Sequence, residues 1–225
     1  MVENLHPAFL TMAHEMKNPL CLMKATLQLM QLDCPLEFSS KIHLLLSEVD
    51  RMNGLLSDLL DLKKAEKAML QPLCLAKLME EMPSLFEGMA LEKDLELCLD
   101  VQRKIPLILG DEQRLKQMLM NLIKNAFEAS YPGGKVFLSV CCKDPDWVEI
   151  QVADTGIGLS EMEQMELFRP FFTTKSYGTG LGLAIVQQII WAHGGEISVQ
   201  SRPNEGSLFT VLLPVERYGS TLPCN

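Results

Sequence analysis

The sequence predicts an α+β chain. A helical hairpin comes first and pairs with a second copy into a dimeric four-helix bundle; an α/β domain with one sheet covered by helices follows. Two observations carry this. Apolar residues in the first third recur at intervals of three and four, and beyond Gln71 strand-like runs alternate with helical ones.

In the first helix Leu5, Phe9, Met12, Met16, Leu20, Met23, Leu27 and Met30 form one apolar stripe. Asp33, Cys34 and Pro35 end it, because proline cannot continue an interior helical ladder. Ile42, Leu45, Val49, Met52, Leu56 and Leu59 repeat the pattern in a second helix. One hairpin covers two such stripes poorly, and a four-helix bundle covers them well. Lys63, Lys64, Glu66 and Lys67, followed by Pro72, read as a solvated linker and hinge over about 63–72. The predicted boundaries are 1–67 for the hairpin, 68–218 for the α/β domain and 219–225 for a tail. Strands are expected at 95–101, 135–140, 147–154, 195–201 and 207–214. Helices are expected at about 76–90, 111–130 and 181–193, the middle one capped by Asp111.

Composition narrows the function classes. Hydrophobic residues make up 48% and charged residues 22%, so disorder over most of the length is excluded. Twenty Lys and Arg against twenty-nine Asp and Glu give a net charge of −9 with no basic cluster, which argues against nucleic acid as a partner. Seven cysteines, without a Cys-x-x-Cys pair, argue against a disulfide framework or structural zinc and for a reducing compartment. No apolar run reaches the roughly 18 residues of a membrane span. The segment reads as cytoplasmic, a fragment of a longer protein that could be anchored at the bacterial cell membrane through a segment outside it.

The chemistry-bearing residues cluster in the second domain. Asp154 closes a strand and precedes Gly156 and Gly158, which sets a fixed carboxylate beside closely approachable backbone. That suits an amino donor such as adenine's. Gly178, Gly180 and Gly182 open a helix, where free N–H groups and the helix N-terminus favour a polyphosphate. Asn121 and Asn125, at i and i+4, share one helix face and could hold a Mg²⁺ bound to phosphates. A P-loop is absent: "PGGKV" (132–136) has no Ser or Thr after its lysine.

In order, "NLIKNAFEA" (121–129), "DTGIG" (154–158), "FRPFFTTK" (168–175) and "GTGLGLAIV" (178–186) resemble the N, first glycine, F and second glycine boxes of one ATP-binding domain. Histidine kinases, Hsp90-type chaperones, type II topoisomerases and MutL share it. The resemblance implies an α/β sandwich with a mixed sheet that binds ATP and Mg²⁺. It implies Asn125 as the Mg²⁺ ligand with Asn121 near the phosphates, Asp154 on the adenine amino group, and Gly156 and Gly158 against the nucleotide. Lys175 and the backbone near Gly178, Gly180 and Gly182 would reach the phosphates, with Phe171 and Phe172 anchoring a lid. Ser207 stands where members often carry Thr near the adenine. Glu128 departs from the basic residue many histidine kinases have at that position, which leaves the identity of the phosphate-contacting residue open.

"FLTMAHEMKNPL" (9–20) resembles the H box of histidine kinases, which the chaperone and topoisomerase relatives lack. The H-box and N-box wording is similar to that of Gram-positive sporulation-type sensor kinases. With Phe9, Met16, Met23 and Met30 at heptad position a, His14 falls at f, away from the seam. Glu15 is placed to take a ring proton, Asn18 lies one turn on, and Pro19 is expected to bend the helix. His6, His43 and His193 have no such company and read as solvated. The resemblance implies autophosphorylation of His14, transfer to an aspartate of a response-regulator receiver domain, homodimerisation, and a hairpin surface that a regulatory inhibitor protein could grip. A catalytically dead nucleotide-binding scaffold and a chaperone-like ATP-driven machine are the competing classes.

Overall fold

The computed structural model describes residues 7–32, 35–64, 68–175 and 178–215. α1 (Pro7–Leu32) and α2 (Leu36–Lys64) pack side by side as the expected hairpin. Helix α1 runs through Pro19 without a break. Leu20, Ile42, Val49 and Leu60 are buried in the hairpin. Helix α2 continues to Lys64, so Lys63 and Lys64, read as linker, belong to its last turn, while Glu66 and Lys67 lie outside the described residues.

Next come β1 (Gln71–Leu73), α3 (Leu75–Glu80), α4 (Met82–Lys93), β2 (Glu96–Val101), β3 (Ile108–Gly110) and α5 (Glu112–Ala129). The single helix expected over 76–90 is two helices. Glu81 joins them with helical dihedrals, φ −77° and ψ −23°, and Pro83 sits in the first turn of α4, where its missing N–H costs nothing. Pro72 lies in β1, which pairs antiparallel with β3. The rest is β4 (Lys135–Asp144), β5 (Trp147–Asp154), α6 (Glu161–Glu166), α7 (Gly182–Ala192), β6 (Glu196–Arg202) and β7 (Gly206–Pro214).

The main sheet has the order β2-β4-β5-β7-β6. β2 and β4 are parallel and the other pairs antiparallel, so the sheet is mixed. Alternation places Val136, Leu138, Val140, Val148, Ile150, Val152, Val211 and Leu213 on the buried face. Against it, α5 buries Leu115, Met118, Leu119, Leu122, Ile123, Ala126 and Phe127. Phe86 of α4 stacks on Phe127 with ring centroids 5.5 Å apart.

Asp111 caps α5 as expected: its Oδ1 accepts from the Arg114 N–H at 3.2 Å and its Oδ2 from the Met69 N–H at 3.0 Å. His193, expected to be solvated, is buried. Its Nδ1 lies 2.7 Å from the Ile189 carbonyl, and its Nε2 accepts from the Asp111 N–H at 2.9 Å. The ring joins the end of α7 to the start of α5, a role that its sequence neighbours do not advertise. His43 is exposed, beside Gln31, and His6 lies outside the described residues.

Cys21, Cys98, Cys141 and Cys142 are free thiols. Cys74 is disulfide-bonded, a departure from the all-thiol expectation. Such a bond depends on the approach of two Cβ atoms, which cysteine spacing does not reveal. Among the described residues no helix is long and apolar enough to cross a membrane.

Burial lowers the His193 pKa, only partly opposed by the Ile189 carbonyl and the Asp111 charge. The unfolded chain therefore takes up this proton first as pH falls. Stability from neutral His193 is fully present above the unfolded value of about 6.5 and is lost as pH drops toward the folded value, by at most about 1.4 kcal/mol per pH unit. Urea denaturation between pH 7.5 and 5.5 is expected to show a smaller loss of stability for His193→Asn than for the parent.

Candidate nucleotide site

The residues singled out in the second domain meet around the C-terminal end of β5, the middle strand of the main sheet. α5 presents Asn121, Asn125 and Glu128 beside its buried face, spaced four and three apart. The start of α7 lies opposite: the Asn121 amide donates to the Gly182 carbonyl at 3.4 Å. A Cβ built on Gly182 would meet only the Asn121 side chain, at 3.9 Å. A side chain that small at Gly182 would be in ordinary contact with Asn121, beside a helix N-terminus of the kind that suits a polyphosphate.

Asp154 ends β5 and is 6% exposed. Its Oδ1 accepts from the Gly156 N–H at 2.9 Å, and its strand partner on β7 is Ser207, which is also buried. The Ser207 hydroxyl lies 3.0 Å from that of Ser201. Burial pushes the Asp154 carboxyl above its ordinary value, partly offset by hydrogen bonds from Gly156 and Ser207 and by the Lys175 charge. A buried carboxylate held by backbone at the end of a central strand is a fixed acceptor suited to an exocyclic amine.

The glycines of the first box answer to the protein's own backbone. A Cβ on Gly156 would lie 2.0 Å from the Ala129 carbonyl oxygen, and one on Gly158, whose φ is +62°, 1.9 Å from the Arg202 oxygen. This contact, with the Ile157 N–H donating to Ala129 at 3.0 Å, ties the loop after Asp154 to the end of α5.

The segment expected to form a lid lies at the same end of the sheet. The Lys175 ammonium donates to Asn125 Oδ1 at 3.2 Å and forms a close ion pair with Glu128. A hard oxygen on Asn125 already faces a cationic centre, so the residues present fit a phosphate-bound Mg²⁺. Phe171 has φ +69° and is exposed, its N–H donating to the Gly180 carbonyl at 2.9 Å, while Phe172 is half-buried. Gly178 and Gly180 pack against Thr173 and the Phe171 backbone respectively, where a Cβ would come within 2.3 and 2.4 Å.

Sequence reasoning missed a contact from the hairpin. The Thr179 hydroxyl, between Gly178 and Gly180, donates to Asp58 of α2 at 2.7 Å. Gln117 of α5 donates to Asp61 at 2.9 Å. Burial raises the Asp58 pKa against the opposing Thr179 hydrogen bond and Lys124 charge. No local pattern marks Asp58, because its partner lies 121 residues away. At the other site, His14 and Glu15 lie on α1, but their side chains are outside the described residues; Asn18 is exposed one turn later.

A phospho-acceptor hairpin joined to an ATPase-type domain is the arrangement this geometry defines. Two family models agree: the His Kinase A (phospho-acceptor) domain matches residues 9–68, and the Histidine kinase-, DNA gyrase B-, and HSP90-like ATPase matches residues 110–217. The chain belongs to the histidine kinase family. Sporulation kinase E of Bacillus subtilis (strain 168) is 33% identical over 205 residues, covering 91% of this chain and 28% of that protein. Full-length ShkA in complex with AMPPNP matches with a TM-score of 0.80 at 29% identity, covering 97% of this chain and 47% of that one. Histidine kinase ThkA, in complex with response regulator protein TrrA, matches with a TM-score of 0.70 at 27% identity, over 96% of this chain and 63% of ThkA. The chain spans 28% of the length of sporulation kinase E and 47% of that of sporulation kinase C, also of Bacillus subtilis (strain 168), less than half of each.

The Gly156 contact gives a direct test. Gly156→Ala forces a methyl into the Ala129 carbonyl and is expected to cost about 1–3 kcal/mol and to weaken binding of a fluorescent ATP analogue. Gly88→Ala, on α4 with open space at its Cβ, is expected to gain about 0.5–1 kcal/mol with binding unchanged. Thermal melts and titrations check both.

Proposed function

We propose that this chain is the catalytic core of a sensor histidine kinase that phosphorylates its own His14 from Mg-ATP and passes the phosphoryl group to an aspartate of a response-regulator receiver domain. The observation that carries the reading is the convergence of Asn121 and Asn125, Asp154, Lys175 and the α7 glycines at one end of the sheet, in a chain whose first helix carries the H box. ShkA with its nucleotide analogue and ThkA with its response regulator support the same ligand and partner classes for this chain.

In this reading Asp154 accepts from the adenine amino group, with the Ser207 hydroxyl beside it. Gly156 and Gly158 shape the wall, and Lys175 and the N–H groups from Gly178 to Gly182 face the phosphates. Mg²⁺ held by Asn125 supplies charge neutralisation on the phosphates. Glu15 takes a proton from the His14 ring while Nε2 attacks in line; the Nε2–P bond forms as the P–O bond to ADP breaks. Phe171 and Phe172 anchor the lid that excludes water. Asn18, exposed one turn from His14, orients a water for the reverse task, dephosphorylating the regulator. The hairpin of residues 1–67 is the phosphotransfer unit, residues 68–218 the ATP-binding unit and 219–225 a tail. The hairpin surface is also where an inhibitor protein would bind.

Incubation with Mg²⁺ and γ-labelled ATP is expected to give an acid-labile, alkali-stable label on the parent and none on His14→Ala. Label retained by the variant assigns a different acceptor. No label on a parent that still binds nucleotide overturns the kinase reading.

The hairpin supports a homodimer. Met16, Met23 and Met30 on α1 and Phe38, Leu45 and Met52 on α2 recur every seven residues and are 45–55% exposed in the single chain, as an unpaired bundle seam requires. Light scattering is expected to give twice the chain mass for the parent and a monomer for Met23→Glu combined with Leu45→Glu.

A further inference from the structure

The Lys175 ammonium is shared between two oxygen-bearing side chains of α5. Asn125 Oδ1 lies 3.2 Å from it, and the Glu128 carboxylate holds it in a close ion pair. Two oxygens from positions i and i+3 of one helix thus converge on a single positive centre. The carboxylate is about 29% exposed and the lysine 38%, so neither is fully surrendered to water. Lys124 lies at 3.9 Å from the other Glu128 oxygen and is 59% exposed, a weaker partner.

We infer that Glu128 makes nucleotide binding at this site depend on a divalent cation, and that Lys175 shields it in the nucleotide-free chain. The inference rests on the nucleotide reading above and adds a role for a residue that reading leaves unused.

The argument is one of charge. When Lys175 turns to the phosphates, it leaves both the Asn125 oxygen and the Glu128 carboxylate. Without a divalent cation, Lys175 alone offsets the polyphosphate, and the uncovered Glu128 carboxylate adds like-charge repulsion that solvent and the exposed Lys124 only partly screen. With a divalent cation beside Asn125, the same carboxylate becomes attractive. Glu128 therefore penalises metal-free nucleotide and favours the metal complex, while a neutral or basic side chain there would do neither.

The test is equilibrium binding of the fluorescent analogue TNP-ATP to the full chain in Mg²⁺ and in EDTA, read as the ratio of Kd in EDTA to Kd in Mg²⁺. Glu128→Gln is expected to bind more tightly in EDTA and to lower the ratio about tenfold, an effect of the order of 1.4 kcal/mol. Lys175→Met, which strips the shield, is expected to bind more weakly in EDTA and to raise the ratio. Circular dichroism checks that both variants fold, and both sites are partly exposed. If the ratio is the same in parent and Glu128→Gln, or if both variants change Kd equally in the two buffers, Glu128 only anchors the lid and the inference is overturned while the nucleotide reading stands. A folded parent that binds no analogue in either buffer overturns both.

Discussion

Burial of one face of α5 against the mixed sheet fixes the rest of the catalytic domain. Leu115, Met118, Leu119, Leu122, Ile123, Ala126 and Phe127 occupy that face, and each buried side chain of this size contributes roughly 1.5–3 kcal/mol. Once they are seated, the helix has no rotational freedom. Asn121, Asn125 and Glu128 are then committed to the end of the sheet where Asp154 closes its strand. Both ends of the helix are pinned as well. Asp111 and His193 hold the first turn, and the Ile157 N–H engages the Ala129 carbonyl at the last. Polar groups can serve a ligand here because the apolar ones have already decided where the helix lies.

The lid lacks such a scaffold. Lys175 is held by α5 side chains that ligand chemistry would claim, and Thr179 by a carboxylate of the hairpin. Each contact is partly exposed; the Lys175–Glu128 ion pair is of a kind that contributes about 0–1 kcal/mol, and the hydrogen bonds to Asn125 and Asp58 are single ones. Contacts this weak can be exchanged, which a lid requires. The glycines between them are the opposite. Gly180, at φ +68° against the Phe171 backbone, leaves no room for a side chain. The lid is therefore geometrically exacting at its hinges and energetically soft at its handles.

Features with a period were legible in the sequence. The three-and-four spacing gave both hairpin helices, and alternation gave all five main strands, because burial of one face imposes each period. β1, β3 and α6 are three, three and six residues long, too short for any period to register. The α3–α4 break fell inside one helical apolar pattern, since both helices bury residues in the same core; Pro83, in the first turn of α4, was its one local mark. The nucleotide-site residues were legible through resemblance in four boxes, and the structure brings the α5, β5, lid and α7 members together. Glu128 was noticed only as a departure, because its meaning depends on Lys175, 47 residues away. Asp58 and His193 carried no signal, since their roles lie in partners far along the chain.

The hairpin shows why one helix must serve several masters. On α2, Ile42, Val49 and Leu60 face α1, and Phe38, Leu45 and Met52 form an adjacent stripe that the single chain leaves open. Asp58 follows Val49 by nine residues, about two and a half turns, and so stands on the opposite side, where it meets the glycine loop. Leu59, seven residues after Met52, instead packs against the catalytic-domain core. The stripe that is open toward the hairpin's tip is thus closed by the ATP-binding domain near its base. Any change in how two hairpins pack would act on the same helix that holds Thr179. One continuous helix thus carries both the open apolar stripe and the carboxylate that Thr179 engages.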